Sequence, residues 1–254
     1  MGGVRQNMTL RSEVLDARID PLTMDEVIRR CVDAIALRRP LTIGVVNAAK
    51  LVNMRADALL RESVETCELV LADGQAVVWA SRVLGAKLPE RVAGVDLFME
   101  LLAEGDRRGY RAFFLGATQE VLDRMTAEIG HRFPGLVIAG ARNGYFDDAQ
   151  SGQVAQEIRD SGADLLFLGM TSPKKEIFVR EWGGHTGAMV VHGVGGSFDI
   201  LSGQTKRAPL SWQRLGLEWF YRLIQEPVRL GPRYLKTNAR FILMIAQQRM
   251  GRTK

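Results

Sequence analysis

The run Asp164-Leu165-Leu166-Phe167-Leu168-Gly169 sets four large apolar residues in a row between a carboxylate and a glycine. A half-exposed strand alternates apolar with polar residues, whereas a short run without alternation reads as a strand covered on both faces. Comparable runs recur at 41–47, 67–72, 111–116, 136–140 and 189–193, separated by segments whose apolar residues recur at helical spacing. Buried strands alternating with helices predict an α/β fold: a doubly wound, mostly parallel sheet with helices on both faces. An earlier pair of segments, 13–20 and 24–37, is expected to add an edge strand and a helix. The joins are short, and the chain carries no internal repeat.

Beyond Gly203 the character of the chain changes. Residues 211–225 read as an amphipathic helix, which Pro227 and Gly231-Pro232 are expected to break; 233–250 read as a second helix carrying Phe241-Ile-Leu-Met-Ile245. Residues 204–254 hold eleven Lys and Arg against two acids, or +9, while residues 1–203 hold 23 against 27, or −4. We therefore divide the chain into an α/β core, 1–203, and a basic helical appendage, 204–254. On charge alone the appendage suits an anionic membrane surface, a phosphate-bearing ligand or nucleic acid. Periodicity alone fits equally well a terminal helix packed on the core.

Composition narrows the class. With 254 residues, 46% of them hydrophobic, the chain can bury a sizeable core and is not disordered. Cys31 and Cys67 lie in periodic apolar segments without metal-ligand spacing, which argues against a disulfide scaffold or a zinc site and fits a reducing cytoplasm. The first ten residues lack the apolar stretch of a secretory signal, and no segment approaches the ~20 apolar residues that span a bilayer. The expectation is a protein neither exported nor transmembrane.

In open parallel sheets ligands bind beyond the carboxyl ends of the strands, so the residues after each apolar run are the candidates. These are Asn47, Asp73-Gly74, Gly116-Ala-Thr118, Gly144-Tyr-Phe146, Gly169 to Glu176, and Gly193-Val-Gly-Gly-Ser-Phe-Asp199. On position alone, Asp73 reads as the cap of the helix that follows it. Gly193, Gly195 and Gly196 allow close backbone approach to a phosphate. They are not the dinucleotide fingerprint, because Phe198 stands where its third glycine belongs. His131, His185 and His192 have no ligand spacing, and no D-x-D pair is present, so no metal site is expected. A departing diphosphate would have to be met by Arg, Lys and backbone amides.

Pro173-Lys174-Lys175-Glu176, Arg207-Ala208-Pro209 and Gly216-Leu-Glu-Trp-Phe-Tyr-Arg222 are unremarkable singly. In order with Asn47, Ala72-Asp-Gly74, Glu90-Arg-Val-Ala-Gly94, Gly144-Tyr-Phe146 and Gly193 to Asp199, they resemble the WecG/TagA/CpsF glycosyltransferases, glycosyltransferase family 26, over residues 14–233. The resemblance implies an inverting, metal-independent enzyme without cofactor. It would move a sugar from a UDP-sugar donor to an undecaprenyl-diphosphate-linked saccharide in surface or exopolysaccharide synthesis. It implies Asp73 as catalytic base, Asn47 as orienter of sugar or acceptor, Tyr145 on the uracil pocket, and Gly193, Gly195, Gly196 and Asp199 beside the nucleotide. Arg91 and the C-terminal arginines Arg207, Arg214 and Arg222 would bring positive charge to the diphosphates.

Two positions depart from the family pattern: Val45 replaces a common threonine, and Lys175 replaces the usual glutamine of Pro-Lys-Gln-Glu, exchanging an amide for a donor-only cation. Both changes bear on which sugar is used. The implied partners are the UDP-sugar, the lipid-diphosphate-linked glycan and an anionic membrane surface, with no nucleic acid and with self-association left open. The implied location is cytoplasmic, peripheral on the inner face of the cell membrane. Two alternatives are a nicotinamide-dependent oxidoreductase, for which the fingerprint is lacking, and a basic nucleic-acid-binding module, for which no motif is present.

Overall fold

A computed structural model describes residues 11–252. The chain runs β1 (Ser12–Val14), β2 (Ala17–Ile19), α1 (Met24–Ala36), β3 (Leu41–Val46), α2 (Ala48–Ala56), α3 (Ala58–Glu65), β4 (Leu69–Ala72), α4 (Gln75–Val83) and α5 (Gly94–Arg108). It continues β5 (Arg111–Gly116), α6 (Gln119–Arg132), β6 (Val137–Arg142), α7 (Ser151–Asp160), β7 (Leu165–Gly169), α8 (Lys174–Trp182), β8 (Val190–Gly193) and α9 (Ser197–Leu201). Helices α10 (Leu210–Arg214), α11 (Glu218–Gln225) and α12 (Pro227–Arg252) complete it.

Strands β3 to β8 form one sheet in the order β4-β3-β8-β7-β5-β6, and every neighbouring pair is parallel. The unbroken apolar runs are explained by what covers them. In β7, Leu166 and Leu168 face one core with α2, α3, α7 and α8, while Leu165 and Phe167 face a second core with α1, α5, α6 and α9. Each β7 residue thus has an apolar neighbour whichever side it points to, so polar alternation there would leave unpaired groups buried; the edge strand β6 departs from this expectation, with Val137 and Ile138 41% and 37% exposed because no strand or full helical layer lies beyond it. The second core holds an aromatic cluster of Phe98, Phe114, Phe167 and Phe198. Phe198, the residue in place of a fingerprint glycine, is a core residue, fully buried.

The first segment corrects an expectation. In place of one edge strand along 13–20, β1 and β2 form an antiparallel hairpin of their own. Leu15 and Asp16 turn it, both at positive φ (52° and 64°), the backbone sign of the tight turns that match strand twist. Asp20 then ties the hairpin to the main sheet, its N–H donating to Val70 O at 2.8 Å and its Oδ2 accepting from Val70 N at 2.7 Å.

The C-terminal segment differs too. Residues 211–225 form two helices, α10 and α11, separated at Gly216, where φ is +70°. Helix α12 passes through Pro232 unbroken for 26 residues. Proline removes one donor, and within the second turn that costs a single bond to Val228 O, which tertiary packing offsets. Leu230, Thr237, Phe241 and Met244 of α12 are buried, and Phe241 and Met244 join the same core as α2. Leu15 N–H donates to Gln248 Oε1 at 3.1 Å, and Arg249 Nη1 to Val83 O at 3.2 Å. Among the described residues no helix is long and apolar enough to cross a membrane.

Candidate functional site

After β3 the chain turns to α2 on one face of the sheet, and after the adjacent β8 it turns to α9 on the other. Diverging connections open a crevice at the carboxyl ends of the two strands, the usual ligand position in such sheets. Glycines keep the rim low. A Cβ on Gly116 would overlap the backbone of Gly169, and Gly116 has φ +141°; a Cβ on Gly169 would overlap the Phe198 ring.

Asp73 lies at this rim, one residue past β4, its N–H donating to Val46 O at 2.9 Å. Its side chain does not cap its own helix: the N-cap of α4 is Gly74, and α4 has no side-chain cap. Asp73 Oδ1 instead accepts the N–H of Gly94, the first residue of α5, at 2.8 Å. The carboxylate therefore sits on the positive end of a different helix. Desolvation raises its pKa; the Gly94 bond and then Arg222, Lys50 and Arg91 oppose the rise. Gly94 O in turn lies 3.1 Å from Nε2 of buried His192, which must donate to it. Burial lowers the His192 pKa to about 4, so the ring is neutral at neutral pH.

Asn47 caps α2, its Oδ1 accepting Lys50 N–H at 3.0 Å. That leaves Nδ2 as the group it can offer a ligand. Three residues on, Lys50 is buried, and its Nζ donates to Val45 O at 2.7 Å and to Glu176 Oε1 at 2.8 Å. The same Oε1 holds Lys175 Nζ at 3.0 Å. Burial would raise the Glu176 pKa, but the two ammonium groups outweigh it and bring it to about 2. Burial and then Lys50 lower the Lys175 pKa to about 8, against the pull of Glu176 and Asp73. Oε2 of Glu176 meets no donor among the described residues. The stem of Lys175 crosses Gly193, where a Cβ would come within 3.2 Å of it.

The loop after β6 folds back over the rim: Gly144 N–H donates to Ala117 O at 3.1 Å. Lys174 pins it, Nζ donating to Gly144 O at 3.3 Å and Phe146 O at 2.6 Å while lying 4.1 Å from the Phe146 ring centre. Phe146 is buried against Phe178, whereas Tyr145 between the two pinned carbonyls is 77% exposed. Gly195, at φ +55°, and Gly196 turn the chain into α9, whose first turn carries Asp199.

The arginines fall into two sets. Arg91 pairs with Glu218 at 3.1 Å and Asp96 at 3.3 Å; Arg207 pairs with Asp96 at 2.6 Å and Glu218 at 3.4 Å. This four-membered network carries no net charge and ties α11 to α5. Arg222 is half-buried, acts electrostatically on Asp73 and forms no ion pair among the described residues, while Arg214 on α10 is exposed. A depression of about 530 Å³, lined in part by Val95, Met99, Arg124, Ser197 and Arg207, lies on the α5, α6 and α9 side, apart from Asp73.

The structure thus gathers Asp73, Arg222, Lys175 and Gly193 with Arg91 nearby, sets Tyr145 on a pinned loop, and leaves Arg214 exposed on α10. Sequence reading passed over Lys50, weighed His192 only as a metal ligand, and gave Lys174 and Gly94, though within its motifs, no role of their own. A lysine in the first turn of a helix reads as a solvated side chain, and the one signal for Lys50 was its place three residues after Asn47. Among the described residues no group of three His, Cys, Asp or Glu could hold a metal ion. Compared with models of known families, residues 12–254 match that of the Glycosyl transferase WecG/TagA/CpsF family.

Proposed function

Since the chain belongs to the WecG/TagA/CpsF family and is a glycosyltransferase of cell-surface polysaccharide synthesis, we propose that it moves a sugar from a UDP-sugar to an undecaprenyl-diphosphate-linked saccharide, with inversion and without a metal ion. The observation that carries this reading is a half-buried carboxylate, Asp73, at the sheet's ligand-facing rim, on which Arg222, Lys50 and Arg91 act electrostatically.

In the proposed reaction an acceptor hydroxyl oxygen attacks C1 of the donor sugar while Asp73 takes its proton. The bond from C1 to the diphosphate oxygen breaks, and UDP leaves with the electron pair on the opposite face. Lys175, Arg222 and the backbone amides of Gly193, Gly195 and Gly196 meet the charge that develops there. Asn47 orients the sugar through Nδ2, Tyr145 stacks on the uracil, and Asp199 holds the glycine turn. Arg91 and Arg207 bind α11 to the core and so set Arg222 beside Asp73; Arg214 faces the acceptor diphosphate.

The appendage docks on the inner face of the cell membrane. Val228, Leu235 and Ile242 of α12 recur every seven residues and are 90%, 78% and 65% exposed, with exposed Lys236 and Arg240 beside them. A stripe of this kind suits the headgroup boundary of an anionic bilayer. Family membership leaves neither hydride transfer nor nucleic-acid binding with support. The deciding experiment screens UDP-sugars for turnover on a lipid-diphosphate-linked monosaccharide and determines the product's anomeric configuration. Inversion is expected; a retained configuration, or no turnover with any UDP-sugar, would refute the reading.

A further inference from the structure

We propose that Lys50, Glu176 and Lys175 form a positioning element of the active site, in which one buried carboxylate oxygen holds two ammonium groups on the Asp73 side of the sheet's rim so that the half-buried Asp73 stays ionised. This rests on the reading of Asp73 as the base. Lys50 and Lys175 come from the first turns of α2 and α8, and both converge on Glu176 Oε1, at 2.8 and 3.0 Å. Val45 O fixes Lys50 Nζ from a third direction, at 2.7 Å. All three residues are more than nine-tenths buried. Two cations and one anion leave an excess of one positive charge, and Asp73 is the neighbouring anion on which both lysines act.

Buried charge of this amount is costly without compensation. A core that needed only stability would fill the space with apolar side chains. The arrangement makes sense if the excess charge serves Asp73, because a base must be deprotonated before the acceptor arrives and burial works against that. The other groups facing Asp73 are Arg222 from α11, Arg91 ahead of α5, and neutral His192 acting through Gly94.

The test uses the full chain and follows kcat against pH for wild type, Lys175→Gln and Lys175→Arg, with Lys50→Met as a second site and thermal melting as the check on folding. In Lys175→Gln the acid limb of kcat should move to higher pH, so that the rate near the acid limb falls several-fold further than the plateau, whose own fall reports the contact of Lys175 with the departing diphosphate. A shift of one unit would be tenfold at the foot of the limb. Lys175→Arg, which keeps the charge, should restore the wild-type limb. An unmoved limb in folded Lys175→Gln, or an equal loss at every pH, would overturn the inference while leaving Asp73 as base. Wild-type turnover in Asp73→Asn would remove both readings together.

Discussion

Asp73 and Gly94, 21 residues apart in the chain, are joined by a 2.8 Å hydrogen bond in which the carboxylate accepts the first N–H of α5. The same glycine takes a hydrogen bond from His192 through its carbonyl. One residue therefore connects the proposed base, a helix N-terminus and strand β8, and separates what Asp73 does for the fold from what it does in the reaction.

Asparagine retains the accepting oxygen and alanine does not. Asp73→Asn should fold and bind UDP like wild type while turnover drops ~10²–10⁴-fold, the usual loss of a general base. Asp73→Ala should in addition lose roughly 1 kcal/mol of stability with the cap on α5. Turnover assays and denaturant titration of the two variants check this, and equal stabilities would mean that the Gly94 contact contributes nothing.

Gly116→Ala should destabilise by about 3 kcal/mol or more, because its Cβ meets the backbone of Gly169 and its φ of +141° disfavours a side chain. Gly195→Ala, in open space at φ +55°, should cost about 1 kcal/mol. Thermal melts of both variants should preserve that order.

Lys175 carries a consequence for stability against pH. Its pKa falls from 10.5 to about 8 on folding, so between those values the unfolded chain binds more protons than the folded one. Stability contributed by this residue should therefore rise as pH increases through 8 toward 10.5, by up to about 3 kcal/mol. Urea titrations of wild type and Lys175→Gln at pH 7.5 and 10 should show wild type gaining on the variant at the higher pH; a constant difference would contradict the assignment.

Excess chelator should leave turnover unchanged, since Arg222, Lys175 and backbone amides are assigned to the diphosphate. Loss of activity that Mg²⁺ or Mn²⁺ restores would show that a metal ion shares this role.

Leu235→Ser with Ile242→Ser alters exposed positions of α12 and should leave the fold intact. Co-sedimentation with vesicles containing anionic lipid should fall several-fold, and Lys236→Glu with Arg240→Glu should remove about 1 kcal/mol per residue together with much of the salt dependence. Unchanged binding by both variants would mean that this face of α12 does not meet the membrane.

The sequence determined the class of fold, because that information is local. A run such as Leu165 to Leu168 is apolar throughout only if both its faces are covered, and Gly169 and Gly193 mark where backbone must come close. The positions of Asp73, Tyr145 and the glycine turn at the carboxyl rim followed from the same rule. The tertiary structure decided how charges pair, and pairing depends on chain segments that periodicity cannot relate. Lys50 meets Glu176 across 126 residues, His192 meets Gly94 across 98, and Arg91 meets Glu218 across 127. Read singly, Asp73 was the cap of its own helix, and Lys50 gave no sign of burial. Only after the strands were ordered did Lys50 become a buried cation and Asp73 the cap of another helix. Hydrophobic patterning records which side of an element faces inward, whereas the energy of a buried charge depends on which distant partner lies within 3 Å of it, and that distance exists only in the folded chain.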